Sequence, residues 1–291
     1  MASVYEMIAE RFIEELKKGI IPWQKPWTGV REGAYSRSTG RPYSLINQLL
    51  LGKPGEYLTF KQVQEAGGKV KKGEKSSFVV FWKPLPVKET TKDGKEVTKV
   101  IPFLKYYNVF HISQCENLEP KYKEAQMNDF DPVEEAERVL EEYALREHIS
   151  IINEKGNRAY YSPMLDEIHL PLREQFMKVA EYYSTAFHEA THSTGHEKRL
   201  NRLSNDAHFG NEEYSKEELV AEIGAAVLCN EMKLETADSF KNSAAYVQNW
   251  LSVLQNDSRM IVSAAGKAEK AVKLILNIKE DKKDAGTCAE D

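Results

Sequence analysis

The chain opens with a pattern of apolar and polar positions typical of an amphipathic helix. Ser3 and Glu6 have the spacing of a capping box, and apolar residues then recur every three or four positions from Tyr5 to Leu16. A second, shorter helix is predicted after Thr59, running to Ala66 and ending ahead of two glycines. The N-terminal part of the chain therefore contains at least two helices.

Strand patterns dominate the next stretch. Residues 76–83 are a short apolar run typical of a buried strand, and the Asp93-Gly94 pair predicts a hairpin that joins 87–90 to 95–101. A further strand is predicted over 101–112, broken near Pro102 because proline cannot donate to a ladder.

The periodicity is lost over the polar residues 119–131, which we interpret as a linker. Asp131 followed by Pro132 predicts the start of a new helix. Short strands are predicted at 149–152, 158–162 and 167–170, and from 171 to 278 the pattern is mainly helical with a break between 195 and 214.

These elements predict an α+β fold with two domains. We expect a basic, mixed N-terminal domain over 1–118 and a mainly helical C-terminal domain with a small sheet over 132–280. The charged residues 281–291 are expected to be frayed.

Composition narrows the class of protein. A hydrophobic content of 41% supports packed cores, and the longest apolar run, near 223–229, is too short to cross a bilayer. The N-terminus lacks the pattern of a secretory signal, and the three cysteines have no CxxC spacing. We therefore expect a cytoplasmic protein without membrane partners.

Charge is distributed unevenly. Residues 1–118 hold 19 Lys and Arg against 12 Asp and Glu, whereas the rest of the chain is acidic. Such a basic half favours a polyanionic partner, although chance segregation of surface charge gives the same count.

The most specific motif is the HEATH sequence at 188–192. His188 and His192 share one face if the segment is helical, so their imidazoles can bind one metal ion. A zinc ion there would lower the pKa of a bound water toward 7, and Glu189 would accept its proton as general base.

Catalytic zinc usually has a third protein ligand. We favour Glu218 as this ligand and Glu222 as the carboxylate that holds a ligand histidine, and the reverse assignment stays open. Glu218 also has capping-box spacing from Ser215, which offers it a purely structural role. His196 and His208 are further candidates, as ligands or as groups that stabilise an oxyanion.

The basic half interleaves aromatic residues with lysine and arginine, a mixture that binds single-stranded nucleic acid. The alternative is that most of these rings belong to a core. The candidate DNA-binding residues are Trp23, Lys25, Trp27, Arg41, Tyr43, Lys61, Lys69, Lys71, Lys72 and Lys75.

The N-terminal half resembles the N-terminal domain of ArdC-type antirestriction proteins. The matching stretches are 19–27 (GIIPWQKPW), 39–43 (TGRPY), 58–62 (LTFKQ), 67–75 (GGKVKKGEK) and 107–110 (YNVF). The C-terminal half is similar to the zincin-like metallopeptidase domain of that family through 160–163 (YYSP), 188–196 (HEATHSTGH) and 217–226 (EELVAEIGAA).

The resemblance implies a protein of mobile genetic elements that binds single-stranded DNA and protects incoming DNA from restriction. It also implies a peptidase-like domain with one Zn²⁺ per chain, acting on a restriction-related or other protein. Two alternatives stay open: a DNA-binding shield whose metal site is structural or inactive, and a metallopeptidase with a protein-docking domain.

Overall fold

The computed structural model describes residues 3–18, 20–24, 33–90, 96–121, 131–203, 212–234, 250–252 and 254–279. The named helices are α1 (Val4–Lys17), α2 (Leu45–Leu51), α3 (Phe60–Glu65), α4 (Pro132–Glu147), α5 (Val179–Ser193), α6 (Glu212–Glu231) and α7 (Met260–Ile275). Residues 250–252 and 254–256 are also helical.

The strands form three sheets. They are β1 (Ala34–Ser36), β2 (Gly55–Leu58), β3 (Lys69–Val70), β4 (Ser77–Thr90), β5 (Glu96–His111), β6 (Cys115–Glu116), β7 (Ser150–Glu154), β8 (Tyr160–Ser162) and β9 (Glu167–Pro171). The strand orders are β1-β2-β5-β4, β3-β6 and β7-β9-β8. The fold class is α+β, as predicted.

Helix starts follow the sequence signals closely. Ser3 and Glu6 form both bonds of the capping box of α1, and Thr59 and Gln62 do the same for α3. At the start of α4, the Asp131 carboxylate accepts from the amides of the second and third helical residues. These helix starts are confirmed.

The long hairpin differs from its prediction. The predicted pairing of 87–90 with the segment that follows the turn is confirmed over the described residues, since Val87 pairs with Lys99, but each segment belongs to one longer continuous strand. The predicted break at Pro102 is wrong. Pro102 lies directly opposite Pro84, where two residues without an N–H can face each other at a non-hydrogen-bonded position. Asp93 and Gly94 lie outside the described residues.

Helix α2 was not predicted, and two buried amide side chains fasten it to the sheet. Asn47 donates to the carbonyl of Val80 at 2.9 Å and accepts from its amide at 2.7 Å. Gln48 makes the same pair of contacts with the backbone of Ala34, at 2.8 and 2.6 Å. These amides satisfy strand groups that would otherwise lack partners.

The second half supplies the small sheet and most of the helical core. The predicted strands correspond to β7, β8 and β9, with β7 parallel and β8 antiparallel to β9. In the described part of this sheet β8 is an edge strand, and it contacts α5.

One hydrophobic cluster joins the two halves. It includes Phe12, Trp23 and Leu104 from the basic half together with Ile223 and Val272 from the acidic half. The short turn Pro22–Gln24 contacts α6, and both α1 and α2 contact α7. Glu269 of α7 accepts from the amide of Leu45 at 2.8 Å, where a carboxylate stabilises the start of α2.

Trp23 requires a correction. Its side chain is 1% exposed within this shared cluster, so its ring cannot stack on a base in this conformation. The core role, which was the alternative for these aromatic residues, applies here because the turn that carries Trp23 packs on α6.

Across the described residues, no helix combines the length and apolar character needed to cross a membrane.

Candidate metal centre

Helix α5 brings the two histidines of the HEATH motif together. Buried Tyr183, Phe187 and Ala190 hold one side of the helix against the core. His188 and His192 lie one turn apart, with their Nε2 atoms separated by 3.1 Å. Two imidazole nitrogens therefore converge on one point, as the spacing predicts.

Glu218 reaches the same point from α6. Its carboxylate oxygens lie 3.6 Å from Nε2 of His188 and 3.5 Å from Nε2 of His192. One donor atom from each of the three residues lies within 4.8 Å of the others. Two imidazoles and one carboxylate form a donor set that suits zinc and other divalent cations.

Glu222 lies on the outer side of His188. Its Oε1 is 4.0 Å from Nδ1 of His188, and burial raises the pKa of its carboxyl. Ser215 lies inside α6 rather than at its start, so a capping box with Glu218 does not occur. The geometry thus leaves Glu218 facing the histidines.

Sequence reasoning missed the partners of His192. Glu217 Oε1 lies 3.3 Å from Nδ1 of His192. Arg202, whose side chain is 6% exposed, donates to both oxygens of Glu217 at 3.0 and 2.9 Å. Glu217 directly precedes the candidate ligand Glu218, and this position was the one feature of the sequence that could have suggested its role. Nothing in the sequence pointed to Arg202.

The carboxylates change the pKa of His192. Burial alone would lower this pKa, but hydrogen bonds with Glu217 and Glu218 raise it to about 10. Burial likewise acts to raise the pKa of Glu218, but its hydrogen bonds with the two imidazoles lower it well below its usual range. Glu217 and Glu218 therefore favour a positive charge beside them, which a protonated imidazole or a bound cation can supply.

Glu189 is buried beside the two histidines. Burial raises the pKa of its carboxyl, and the imidazoles of His188 and His192 oppose that rise. The backbone amide of Tyr161 in β8 also hydrogen-bonds this carboxylate. A carboxylate with a raised pKa in a buried site is a suitable proton acceptor.

A buried ion pair fastens the end of α5 to the small sheet. The guanidinium of Arg199 bonds Asp166 and donates to the carbonyl of Ser193 at 2.7 Å. Tyr161 donates to Asp166 at 2.7 Å through its hydroxyl. Because Tyr161 belongs to β8, this cluster holds that strand next to Glu189.

The other predicted histidines do not join the donor group. The Nδ1 of His196 accepts from the amide of Lys198 at 3.2 Å, and His196 is not part of the group formed by His188, His192 and Glu218. His208 lies outside the described residues.

The candidate DNA-binding residues are spread over several elements. Lys69, Lys71, Lys72 and Lys75 are exposed around β3, and the ammonium of Lys71 donates to the carbonyl of Ser113 at 2.8 Å. Lys61 on α3 is exposed and lies 4.0 Å from Glu65. Lys25 and Trp27 lie outside the described residues.

Arg41 and Tyr43 belong to the segment that follows β1. Arg41 is exposed next to β1, whereas Tyr43 is half-buried with its ring 6.4 Å from Tyr57 and 6.1 Å from Phe81. Of the eight candidate residues that the structure describes, Trp23 lies in the core and Tyr43 is half-buried, so these eight do not all contribute to one exposed surface.

Fold and site together define the class: a basic α+β half packed on a zincin-like metallopeptidase domain. Residues 2–110 match the family model of the N-terminal domain of anti-restriction factor ArdC, and residues 135–267 match that of a zincin-like metallopeptidase.

Solved structures agree with this class. The chain is 35% identical to the metal-free crystal structure of the antirestriction ArdC protein from the R388 plasmid, with a TM-score of 0.73 over 94% of this chain and 97% of that one. The Mn(II)-bound structure of that protein gives 34% identity and a TM-score of 0.74 over 95% and 98%. The chain belongs to the ArdC family of antirestriction proteins.

A longer relative contains a similar segment. The chain is 36% identical to the DNA primase TraC of Escherichia coli over 294 residues, which is 94% of this chain but 27% of that protein. The chain thus spans about a quarter of the length of this relative.

Proposed function

We propose that this protein protects incoming DNA from restriction by binding single-stranded DNA with its basic half and by carrying a zinc-dependent peptidase site in its acidic half. The observation that carries the peptidase part is the convergence of His188, His192 and Glu218 beside buried Glu189. Family membership supports the antirestriction part.

Three residues would bind the metal ion, and a fourth would transfer the proton. His188, His192 and Glu218 would hold one ion, and the neutral form of each imidazole supplies the ligand nitrogen. A divalent cation at this position supplies Lewis-acid chemistry that polarises a carbonyl and acidifies water. Glu189 accepts the proton of the attacking water and returns it to the leaving amine, a role that its raised pKa supports.

Zinc is the cation that this donor set most often binds in hydrolytic sites. The same nitrogen and oxygen donors also accept manganese, and the R388 relative was crystallised with Mn(II). The metal analysis described next therefore has to identify the bound metal as well as measure its amount.

Metal analysis of the purified full chain tests the site. We expect about one ion per chain in the wild type, as for a three-ligand catalytic site, and strong loss in His188→Ala and Glu218→Gln. Glu189→Gln is the control, because its side chain is assigned to proton transfer and should leave metal content unchanged. Retention of metal by Glu218→Gln with loss in Glu222→Gln would reverse the two assignments.

Proteolysis tests the chemistry. A peptide library should be cleaved by the wild type with bound metal and not by Glu189→Gln. Cleavage of the library by both proteins would refute the role of Glu189. Antirestriction that survives Glu189→Gln would instead support a DNA-binding shield with an inactive metal site.

A further inference from the structure

One face of the β4–β5 hairpin carries alternating rings and ammonium groups. Phe81 lies directly opposite Lys105, and Lys83 lies directly opposite Phe103. Residues paired directly across an antiparallel ladder project to the same face, as do residues two apart along one strand. The four side chains therefore form a two-by-two square in which ring and cation alternate along and across the strands.

The pattern continues toward the core. The ammonium of Lys105 lies 5.3 Å from the centre of the Tyr107 ring, and that ring lies 5.9 Å from Phe81. The ring of Tyr43 lies 6.1 Å from that of Phe81. Phe81 thus contacts two other rings, and all three rings are partly exposed and pack on a small core that includes Val79 and Val109.

The part of this face formed by 77–85 and 101–109 is accessible at its outer end and carries no carboxylate. Phe103 is 52% exposed, Lys105 is exposed, and Phe81, Lys83 and Tyr107 are partly exposed. The residues on this face over 77–85 and 101–109 include no carboxylate. The opposite face is occupied in part, because Val80 and Leu104 are buried in the shared core.

We propose that this face, formed by Phe81, Lys83, Phe103, Lys105 and Tyr107, is the platform on which the bases and phosphates of single-stranded DNA bind. Aromatic faces accept bases of any identity, and ammonium groups beside them neutralise the phosphates that link those bases. A duplex does not offer its base faces to such a platform. The inference rests on the proposed DNA-binding function and names its surface.

The platform is distinct from the exposed lysines around β3, which the sequence favoured. Among the residues of the platform, only Tyr107 lies in a stretch that carries the family resemblance. Phe81 and Phe103 were not singled out, because an aromatic residue in a strand is more often part of a core. Their shared face becomes evident only from the register of the hairpin.

Fluorescence anisotropy with the full chain and a labelled oligothymidylate of about 20 nucleotides tests the proposal. Phe103→Ala should weaken binding by about 5- to 100-fold, the loss expected when a ring that stacks on a base is removed. Tyr106→Ala is the matched control, since Tyr106 is an exposed neighbour, 42% accessible, on the opposite face of β5. Phe103→Trp should restore the affinity, which a folding defect would not allow.

Salt dependence tests the lysines separately. Lys83→Gln with Lys105→Gln should reduce the slope of log affinity against log salt by about 1.4, because each phosphate contact contributes about 0.7 for a single strand. Lys71→Gln with Lys72→Gln is the comparison and should leave that slope nearly unchanged.

The possible outcomes distinguish an error in the proposed binding surface from an error in the proposed DNA-binding function. If the wild type does not bind the oligonucleotide, the DNA-binding function itself fails. If the wild type binds and Phe103→Ala binds equally well, the function stands and the platform is wrong. A loss of slope only in the Lys71 and Lys72 variant would also overturn the platform and assign binding to the lysines around β3.

Discussion

At the scale of single residues, Glu217 connects the candidate ligand His192 to a buried guanidinium. Its carboxylate lies 3.3 Å from Nδ1 of His192 and accepts two bonds from Arg202. A carboxylate in this position fixes the orientation of the imidazole and increases its basicity. We therefore expect Glu217 to act as a positioning residue for the candidate metal site.

Glu217→Gln should lower the affinity for Zn²⁺ or Mn²⁺ by about 10- to 100-fold, the range found when such outer partners are removed. Titration against a competing chelator measures this change, with circular dichroism as the check on folding. Glu213→Gln is the control, because Glu213 is exposed on the same helix and forms an ion pair with Lys216 at 3.0 Å. Equal affinities in the two variants would contradict the positioning role.

Asp166 makes stability depend on pH. Burial acts to raise the pKa of this carboxyl, but hydrogen bonds from Arg199 and Tyr161 outweigh it and lower the pKa to about 2. A carboxyl whose pKa is lower in the folded state stabilises the protein above its unfolded value near 4 and loses that contribution as pH falls toward 2.

We expect the free energy of unfolding to fall by about 1–2 kcal/mol over this acidic range through Asp166 alone. Urea unfolding at a series of pH values measures the fall. Asp166→Asn should be less stable at neutral pH and should show a smaller dependence below pH 4. An unchanged dependence in that variant would assign the effect to other carboxylates.

At the scale of elements, the metal centre depends on how closely α6 approaches α5. A Cβ at Gly224 would lie 2.6 Å from Cγ2 of Thr191, a buried side chain whose hydroxyl donates to the carbonyl of Phe187 at 2.7 Å. The two helices can approach this closely because Gly224 has no side chain. It brings Glu218 within reach of the two histidines.

Gly224→Ala should destabilise the protein by about 1–3 kcal/mol, the usual cost of overpacking, and should weaken metal binding because α6 moves away. Gly266→Ala in α7 is the matched control, since a Cβ there has no neighbour within 4 Å. Alanine should stabilise that helix by about 0.5–1 kcal/mol. Chemical unfolding of both variants measures the difference, and a change of the same sign in both would contradict the packing argument.

Helices whose first turn is capped by a neighbouring side chain could be predicted from the sequence. Helix α2, which is stabilised by contacts with distant strands, could not. Ser3, Thr59 and Asp131 each mark a helix start through contacts within three residues. Helix α2 has no side-chain cap, and its Asn47 and Gln48 are buried, so its pattern of polar residues is misleading. Their partners, Val80 and Ala34, are visible only in the folded chain.

At the scale of the whole molecule, the two halves share one hydrophobic cluster. Two domains over 1–118 and 132–280 were predicted, and the turn around Trp23 in the first contacts α6, the helix that carries Glu218. A substitution that removes packing contacts in the basic half should therefore also destabilise the half that carries the candidate metal site.

Trp23→Ala should destabilise the chain by about 3–5 kcal/mol, as expected for a buried tryptophan. Hydrogen exchange followed by mass spectrometry should show lost protection in α6 and α7 as well as in α1. Trp82→Ala is the comparison, because Trp82 is 52% exposed and its removal leaves a smaller cavity. Faster exchange confined to the basic half would indicate two independent domains.

The convergence of the two histidines and the starts of several helices could be read from the amino-acid sequence alone. The spacing of His188 and His192 depends only on the pitch of one helix, and the helix caps depend only on neighbouring residues. The tertiary structure decided which distant groups meet: Glu217 and Arg202 behind His192, Trp23 in the core rather than on a surface, and rings opposite lysines on the long hairpin. These contacts depend on strand register and helix packing, which arise from the summed burial of many side chains rather than from any local pattern.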